Sequence, residues 1–376
     1  MNTPRFKRQS VRALALVVLL VLSACGDDDQ GNGINPLLPA TPAIAYVVNQ
    51  ASNNVSAYTI HGSTGALVPV AGSPFPTGGT TPAGIAVSAD GTLAFVANQG
   101  SNNVSAFTID PSTGVLTASS GSPFPAETTP LRLTVTPNRS FLYVTNQASN
   151  NVSAFTISAT GGLTPIAGTP FATGFTPAGV TCTPNGAFLY VANQGSNNVS
   201  AFAVNASGQL SPVAGSPFAV GTTPVGVVVS PNGSFLYVSN QGSNYVSALA
   251  INGSTGALTP VAGSPFATGI TPAGITISPN GSFLYVANQS TNNVSAFAVN
   301  SGTGALVPVG APSPSGTTPT AVTLSPDGAF LYAANQGSND VFAYSINSGS
   351  GTLTNVSGSP FPAGVTPRAI ATPGRP

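Results

Sequence analysis

Short apolar segments alternate with polar loops rich in glycine and proline along most of the chain. In one unit, residues 178–183 (AGVTCT) form a β-branched segment that ends at the turn sequence PNG, residues 184–186. Residues 188–192 (FLYVA) are almost entirely apolar, which is typical of a strand in a sheet covered on both faces. An alternating segment at residues 199–204 and an outer segment at residues 209–214 follow. The pattern predicts an all-β unit of four antiparallel strands.

This unit repeats along the chain with a nearly constant period. The dipeptide Asn-Gln recurs every 47 to 49 residues, beginning at Asn49, Asn98, Asn146, Asn193, Asn240, Asn288 and Asn335. A period of this length with four strands is typical of β-propeller blades. The first unit lacks an innermost strand, and the segment at residues 368–372 is followed by no further strands. The sequence therefore predicts a seven-bladed β-propeller over residues 43–376, whose closing blade is shared by the N- and C-termini and removes exposed sheet edges.

The N-terminal segment differs from the repeats. Basic residues precede an apolar segment at residues 13–22, which is too short to span a bilayer as a stable helix. The sequence LSAC at residues 22–25 resembles the lipobox of bacterial lipoproteins, in which the chain is cleaved before the cysteine and its thiol is lipidated. The resemblance implies a signal peptide at residues 1–24, lipidation of Cys25, and a tether at residues 25–42.

Charge and export together limit the partners that we expect. The chain has eight basic and eight acidic residues, and apolar residues make up 41%, which is enough for a sizeable core. No basic cluster lies beyond the N-terminal segment, so we expect no binding to nucleic acid, whose phosphates require neutralisation. The lipoprotein resemblance implies membrane attachment through the lipid on Cys25, and Gly26 after it favours the outer membrane or cell surface over the inner membrane. We also expect a monomer, with no cofactor and no metal site.

The repeat motif resembles that of a known propeller family. Residues 143–146 (YVTN) and 149–154 (SNNVSA) resemble the YVTN β-propeller repeat. Variants recur at residues 190–193, 237–240 and 285–288. The repeats are also similar to the lactonase-type seven-bladed propellers, which include 6-phosphogluconolactonase. This resemblance covers about residues 43–372, and it implies the propeller fold and, as one alternative, lactone hydrolysis at the mouth of the central channel.

Three charged residues are the candidate catalytic groups under that alternative. Glu127, Arg132 and Arg368 lie in or near the loops that lead into innermost strands, and Arg132 stands where other units have glycine. The functional hypothesis is a carboxylate acting beside one or two arginines; the alternative is a local salt bridge between Glu127 and Arg132. His61, the single histidine, is expected at the opposite ends of the strands, so we expect no Ser-His-Asp arrangement at the mouth.

The repeated Asn-Gln loops are a second candidate site. Loops between the same two strands lie on one face of a propeller, so we expect them to display seven neutral amide clusters. The candidate binding residues are Asn98, Gln99, Asn146, Gln147, Asn193, Gln194, Asn240 and Gln241. Amides suit sugar hydroxyls or peptide backbone, although asparagine also caps turns without binding anything. Because no catalytic constellation is evident, the sequence favours an envelope-anchored module that binds or scaffolds glycans or proteins, with a lactonase-type hydrolase as the alternative.

Overall fold

Seven sheets arranged around a central channel make up the repeat region in the computed structural model, which describes Met1 and residues 42–374. The predicted lipidation site, Cys25, and the predicted signal peptide after Met1 lie outside the described residues. All elements of the described chain are β-strands, and a search of these residues finds no helix that could cross a membrane. The all-β, seven-bladed prediction is confirmed.

Each blade has four antiparallel strands that follow one another outwards from the channel. The innermost strands are Pro82–Val87, Pro130–Val135, Pro177–Cys182, Pro224–Val229, Pro272–Ile277, Pro319–Leu324 and Pro367–Ala371. The second strands are Ala43–Asn49, Leu93–Asn98, Phe141–Asn146, Phe188–Asn193, Phe235–Asn240, Phe283–Asn288 and Phe330–Asn335. The third strands are Asn54–Ile60, Asn103–Ile109, Asn151–Ile157, Asn198–Val204, Tyr245–Ile251, Asn293–Val299 and Asp340–Ile346. The fourth strands are Leu67–Pro69, Leu116–Ala118, Leu163–Pro165, Leu210–Pro212, Leu258–Pro260, Leu306–Pro308 and Leu353–Asn355.

A two-residue strand follows each fourth strand and pairs back with the third strand of the same blade. These short strands are Phe75–Pro76, Phe124–Pro125, Phe171–Ala172, Phe218–Ala219, Phe266–Ala267, Ser313–Pro314 and Phe361–Pro362. They were not predicted, because a two-residue segment carries no periodic pattern. They direct the chain back along the third strand before it enters the next blade.

The closing blade is built from both ends of the chain, as predicted. The strand Ala43–Asn49 pairs with Asn54–Ile60 on one side and with Pro367–Ala371 on the other, both antiparallel. Three strands of this blade are therefore N-terminal, and its innermost strand is C-terminal. This arrangement closes the ring and covers the edge that each end would otherwise expose.

Apolar clusters fill the spaces between neighbouring blades, and the second strands contribute most to them. Six second strands carry a fully buried tyrosine whose hydroxyl donates a hydrogen bond to a glycine carbonyl of the next blade, over 2.8 to 3.1 Å. Phe95 replaces this tyrosine in one blade. At that boundary Arg139 and Asp90 form an ion pair of 2.7 Å instead.

Candidate active site at the channel mouth

The innermost strands enclose a cavity of about 330 Å³ at one end of the channel. Its walls are mostly small or apolar, because the innermost strands bring alanine, glycine, valine and isoleucine to the channel. The polar side chains that line it are Arg132, Arg368, Thr320, Gln147, Gln194, Gln241 and Gln289. Among the described residues that line it there is no aspartate, glutamate or histidine. The cavity is therefore positively charged and amide-rich.

Arg132 occupies a position where four other blades have glycine. Those glycines allow neighbouring innermost strands to approach closely: a Cβ on Gly179, for example, would lie 2.5 Å from the carbonyl oxygen of Val225. An arginine in this position extends to the cavity, and its Nη1 donates a hydrogen bond to the carbonyl oxygen of Ala83 in the preceding blade. The side chain is thereby held at the mouth.

Arg368 comes from the C-terminal strand of the closing blade and lies one position earlier in its strand than Arg132 does. The pairing register shifts at this point, because Pro367 lies opposite Asn49 while Ala369 lies opposite Val48. The same shift occurs in the innermost strand of every blade, so Arg368 occupies the bulge position that Leu131 occupies in the blade of Arg132. Residues at both strand positions line the cavity, which is why the two arginines share it.

The two guanidinium groups influence each other electrostatically. Burial lowers the pKa of Arg132 to about 10, and the positive charge of Arg368 contributes to that shift. Burial also lowers the pKa of Arg368. The Nε atom of Arg368 is buried and has no hydrogen-bond partner among the described residues. Two positive charges therefore share the mouth, and the described part of the chain brings no carboxylate to its lining.

Glu127 is not part of this cavity. It is exposed in the loop that precedes Pro130, and the salt bridge considered with Arg132 is not formed. In the six other blades a glycine stands at the Glu127 position and packs against the buried asparagine of the Asn-Gln pair. Glu127 lies in the exposed loop that leads into the innermost strand, whereas Arg132 lies within that strand. The two side chains are therefore apart, although they are only five residues apart in sequence.

The asparagines of the Asn-Gln pairs are buried, which corrects the expectation that they are displayed on the face. All seven have no exposed surface. Their amide groups cross-link their own blade: Asn98 Nδ2, for example, lies 2.8 Å from Asn103 Oδ1 and 2.7 Å from Ser105 Oγ. The seven residues are Asn49, Asn98, Asn146, Asn193, Asn240, Asn288 and Asn335. They stabilise the loop and offer no surface to a ligand.

The glutamines of the same pairs surround the mouth. Four of them line the cavity, and several pair across blade boundaries: Gln147 with Gln194 at 3.1 Å, and Gln241 with Gln289 at 2.7 Å. Gln99 pairs with Gln50 at 3.3 Å. A neutral ring of hydrogen-bond donors and acceptors therefore lies beside the two arginines.

A further asparagine in each polar loop fixes the position of the next blade. Asn150 adopts a left-handed backbone conformation (φ 55°), and its Oδ1 accepts a hydrogen bond of 2.7 Å from the backbone N–H of Thr176, just before the next innermost strand. The same contact recurs in all seven loops. The polar loops thus hold the mouth in a fixed geometry.

The other reactive side chains lie elsewhere. His61 is exposed in the turn after the third strand of the closing blade. Burial raises the pKa of the Cys182 thiol to about 11, so it is protonated at neutral pH. No group of three potential metal ligands is found in the part of the chain that the structure describes.

Comparison with known proteins identifies the family. The model of the lactonase, seven-bladed β-propeller family matches residues 39–174, 165–269 and 263–368. The chain belongs to this family. Family membership overturns the interpretation as a binding or scaffolding module and supports the hydrolase alternative. That interpretation relied on the absence of a Ser-His-Asp or acidic constellation. A site built on arginines contains neither, so this absence is not evidence against hydrolysis.

Solved structures of lactonase-type propellers share the fold. A candidate 6-phosphogluconolactonase from Bacteroides fragilis superimposes with a TM-score of 0.78 at 20% identity, over 90% of this chain and 99% of that one. The periplasmic gluconolactonase of Pseudomonas aeruginosa gives 0.76 at 20% identity, over 89% and 99%. A candidate 6-phosphogluconolactonase from Bacteroides uniformis gives 0.76 at 22% identity, over 88% and 99%. None of the curated proteins compared with the chain matches it.

Proposed function

We propose that this protein hydrolyses lactones at the mouth of the central channel, with Arg132 and Arg368 as the residues that stabilise the transition state. The observation that carries the proposal is the pair of guanidinium groups in one cavity of a lactonase-family propeller, with no carboxylate among the described residues that line it. The solved relatives named for gluconolactone and 6-phosphogluconolactone favour a sugar lactone as the substrate.

The chemistry requires little beyond electrostatics. Water attacks the carbonyl carbon, the carbonyl oxygen becomes an oxyanion, and the ring C–O bond then breaks. The ring oxygen takes up a proton, and the new carboxylic acid releases one to solvent. Guanidinium donors beside the oxyanion lower the barrier, because their attraction is strong in a cavity of low dielectric constant. The glutamine amides are suited to hold the sugar hydroxyls.

The lining of the cavity also predicts the pH dependence. No described lining residue titrates near neutrality, so we take solvent water or hydroxide as the nucleophile. The rate should then rise with pH and should not show a bell-shaped pH–rate profile centred near pH 7. A bell-shaped profile around neutrality would contradict this mechanism.

The experiment uses the full chain in detergent and a panel of sugar lactones, with hydrolysis followed by proton release. Arg132→Gly and Arg368→Ala install residues that other blades carry at the same positions, so both variants are expected to fold. Each should lower kcat by about 100-fold or more, the usual cost of one oxyanion donor. Arg139→Gln is the matched control, because it removes a positive charge at the opposite end of the innermost strand. A wild-type rate equal to the uncatalysed rate on every lactone would refute the proposal.

We also propose that the protein is exported and attached to the cell envelope through a lipid on Cys25. The lipobox-like sequence at residues 22–25 supports this, and so does the likeness to a propeller named as periplasmic. The chain should incorporate radiolabelled palmitate, and Cys25→Ser should not. Cys182, the other cysteine, is largely buried, so it offers no competing thiol. Continued labelling of Cys25→Ser would disprove the anchor.

A further inference from the structure

The channel mouth has an uncompensated positive charge. Arg132 and Arg368 are both partly buried and line the same cavity, whose remaining walls are apolar or carry neutral amides and hydroxyls. A charge that loses part of its hydration without gaining a partner of opposite charge is destabilised relative to the same charge in water. The pair is therefore arranged to receive a negative charge from outside the protein.

No acidic side chain of the described chain supplies that charge. Glu127 is exposed outside the cavity, and Asp90 already pairs with Arg139 at the other end of the strands. Arg132 contacts a neutral acceptor, the carbonyl oxygen of Ala83. The buried Nε of Arg368 has no acceptor in the described chain at all. An unsatisfied, buried donor in a cavity is a second and independent sign that a ligand atom belongs there.

We infer that the channel mouth binds a carboxylate, and that it holds the open-chain hydroxy acid more tightly than the neutral lactone from which the acid is formed. The anion site follows from the arginines and the cavity alone; the identity of the anion rests on the proposed function. Lactone hydrolysis converts the carbonyl group beside the guanidiniums into a carboxylate, the planar anion that arginine binds in bidentate fashion. The hydroxyls along the acid match the ring of glutamine amides.

This preference makes the enzyme sensitive to its own product. The lactone gains charge–charge attraction only as the reaction proceeds, whereas the product carries a full negative charge when it forms. We therefore expect the acid to act as a competitive inhibitor, and the rate to fall as it accumulates. Added salt weakens the attraction between the arginines and the carboxylate, so it should relieve the inhibition.

The test is isothermal titration calorimetry on the full chain at pH 7 and low ionic strength, with sodium gluconate, neutral glucitol and inorganic phosphate as probes. Gluconate should bind at least about tenfold more tightly than glucitol, since only gluconate forms charge-assisted hydrogen bonds with the guanidinium groups. Arg132→Gly and Arg368→Ala should each lose about tenfold in gluconate affinity. Arg139→Gln should bind as the wild type does.

Each result decides a separate point. Equal affinity for gluconate and glucitol would overturn the inference, and tighter binding of phosphate than of gluconate would overturn the choice of a carboxylate. Gluconate binding without turnover of any lactone would refute the proposed hydrolysis and leave the anion site intact. Turnover with a gluconate inhibition constant above the KM of its lactone would refute product retention alone.

Discussion

Six tyrosines occupy the same buried position in six second strands, and raising the pH tests what their hydroxyls contribute. Each hydroxyl donates to a glycine carbonyl of the next blade, as Tyr237 does to Gly304 at 3.1 Å. Burial raises the pKa of all six well above the ordinary value of 10. They are Tyr46, Tyr143, Tyr190, Tyr237, Tyr285 and Tyr332. The folded protein therefore keeps phenolic protons that the unfolded chain releases near pH 10.

The consequence is a steep loss of stability in alkali. Above pH 10 the unfolded state binds fewer protons than the folded state, so the free energy of unfolding falls as the pH rises. Each tyrosine contributes about 1.4 kcal/mol per pH unit, and six contribute roughly 8 kcal/mol by pH 11. That is comparable with the whole stability of many domains, about 5–15 kcal/mol. Arg132, whose pKa is lowered to about 10, acts in the opposite direction by about one tyrosine, and the lowered pKa of Arg368 acts in the same direction as that of Arg132. Tyr344, whose pKa burial raises to about 12, adds to the loss.

Acid should have a much smaller effect. The described chain has five acidic residues, and two of them have a lowered pKa. For Asp90, burial raises the pKa, but hydrogen bonds from Ser88 and Thr92 outweigh it and lower the pKa below its usual range. Hydrogen bonds from Ser112 lower the pKa of the exposed Asp110. Their stabilisation is present above the ordinary carboxyl pKa and is lost only as the pH falls through the lowered values.

Urea unfolding followed by circular dichroism between pH 4 and pH 11 tests this asymmetry. Tyr237→Phe is the informative variant, because Phe95 shows that a blade accepts phenylalanine at this position. At pH 7 the variant should be less stable by about 1–3 kcal/mol, because the carbonyl of Gly304 loses its donor. Toward pH 11 the difference should shrink by about 1.4 kcal/mol, since one buried phenol is gone. Parallel stability curves for the two proteins, or equal sensitivity to acid and alkali, would refute the reasoning.

Three further predictions concern ring closure and one blade boundary. Deleting residues 367–376 removes the innermost strand of the closing blade, and calorimetry should show a sharply lower Tm; an unchanged Tm would contradict closure. Phe95→Tyr should raise the free energy of unfolding by about 1 kcal/mol, because the new hydroxyl can donate a hydrogen bond to Gly161, the corresponding glycine of the next blade. A lower free energy of unfolding would show that the hydroxyl does not fit. Arg139→Gln should cost no more than about 1 kcal/mol in low salt and less in high salt, because its ion pair with Asp90 is partly exposed; a larger cost would mean that the pair, not apolar packing, holds this boundary.

The fold was predictable because its signals are local and repeated. Each blade contains an apolar second strand, a turn and a polar loop, and seven copies of one period leave little choice of architecture. The shared blade could be predicted because the first unit lacks an innermost strand and the last innermost strand is followed by no other strand. Ala43–Asn49 and Pro367–Ala371 therefore complete each other. The two-residue strands and the bulge at Arg368 could not be predicted, because backbone register leaves no periodic pattern in the residues.

The roles of the polar residues were harder to predict, because a repeat copies structural and functional side chains alike. Asn193 and Gln194 are adjacent in sequence, yet the first is fully buried and the second lines the mouth. Alternation of side chains along a strand explains the difference in the structure, but the sequence does not state where the second strand ends. The asparagine of each pair therefore holds the loop together, although its place beside the glutamine in sequence suggests that both amides lie at the surface.

Departures from the repeat are more informative than the repeat itself, but only once the backbone is known. Glu127, Arg132 and Arg368 each break the pattern, and all three were candidates for one site. Arg132 and Arg368 line one cavity, while Glu127 stays in an exposed loop. Without the carboxylate the site cannot use the acid–base chemistry that sequence reasoning required of an enzyme. What it retains is positive charge in a confined space, and the proposed mechanism uses that charge twice: to stabilise an oxyanion and, by the same attraction, to hold the carboxylate that replaces it.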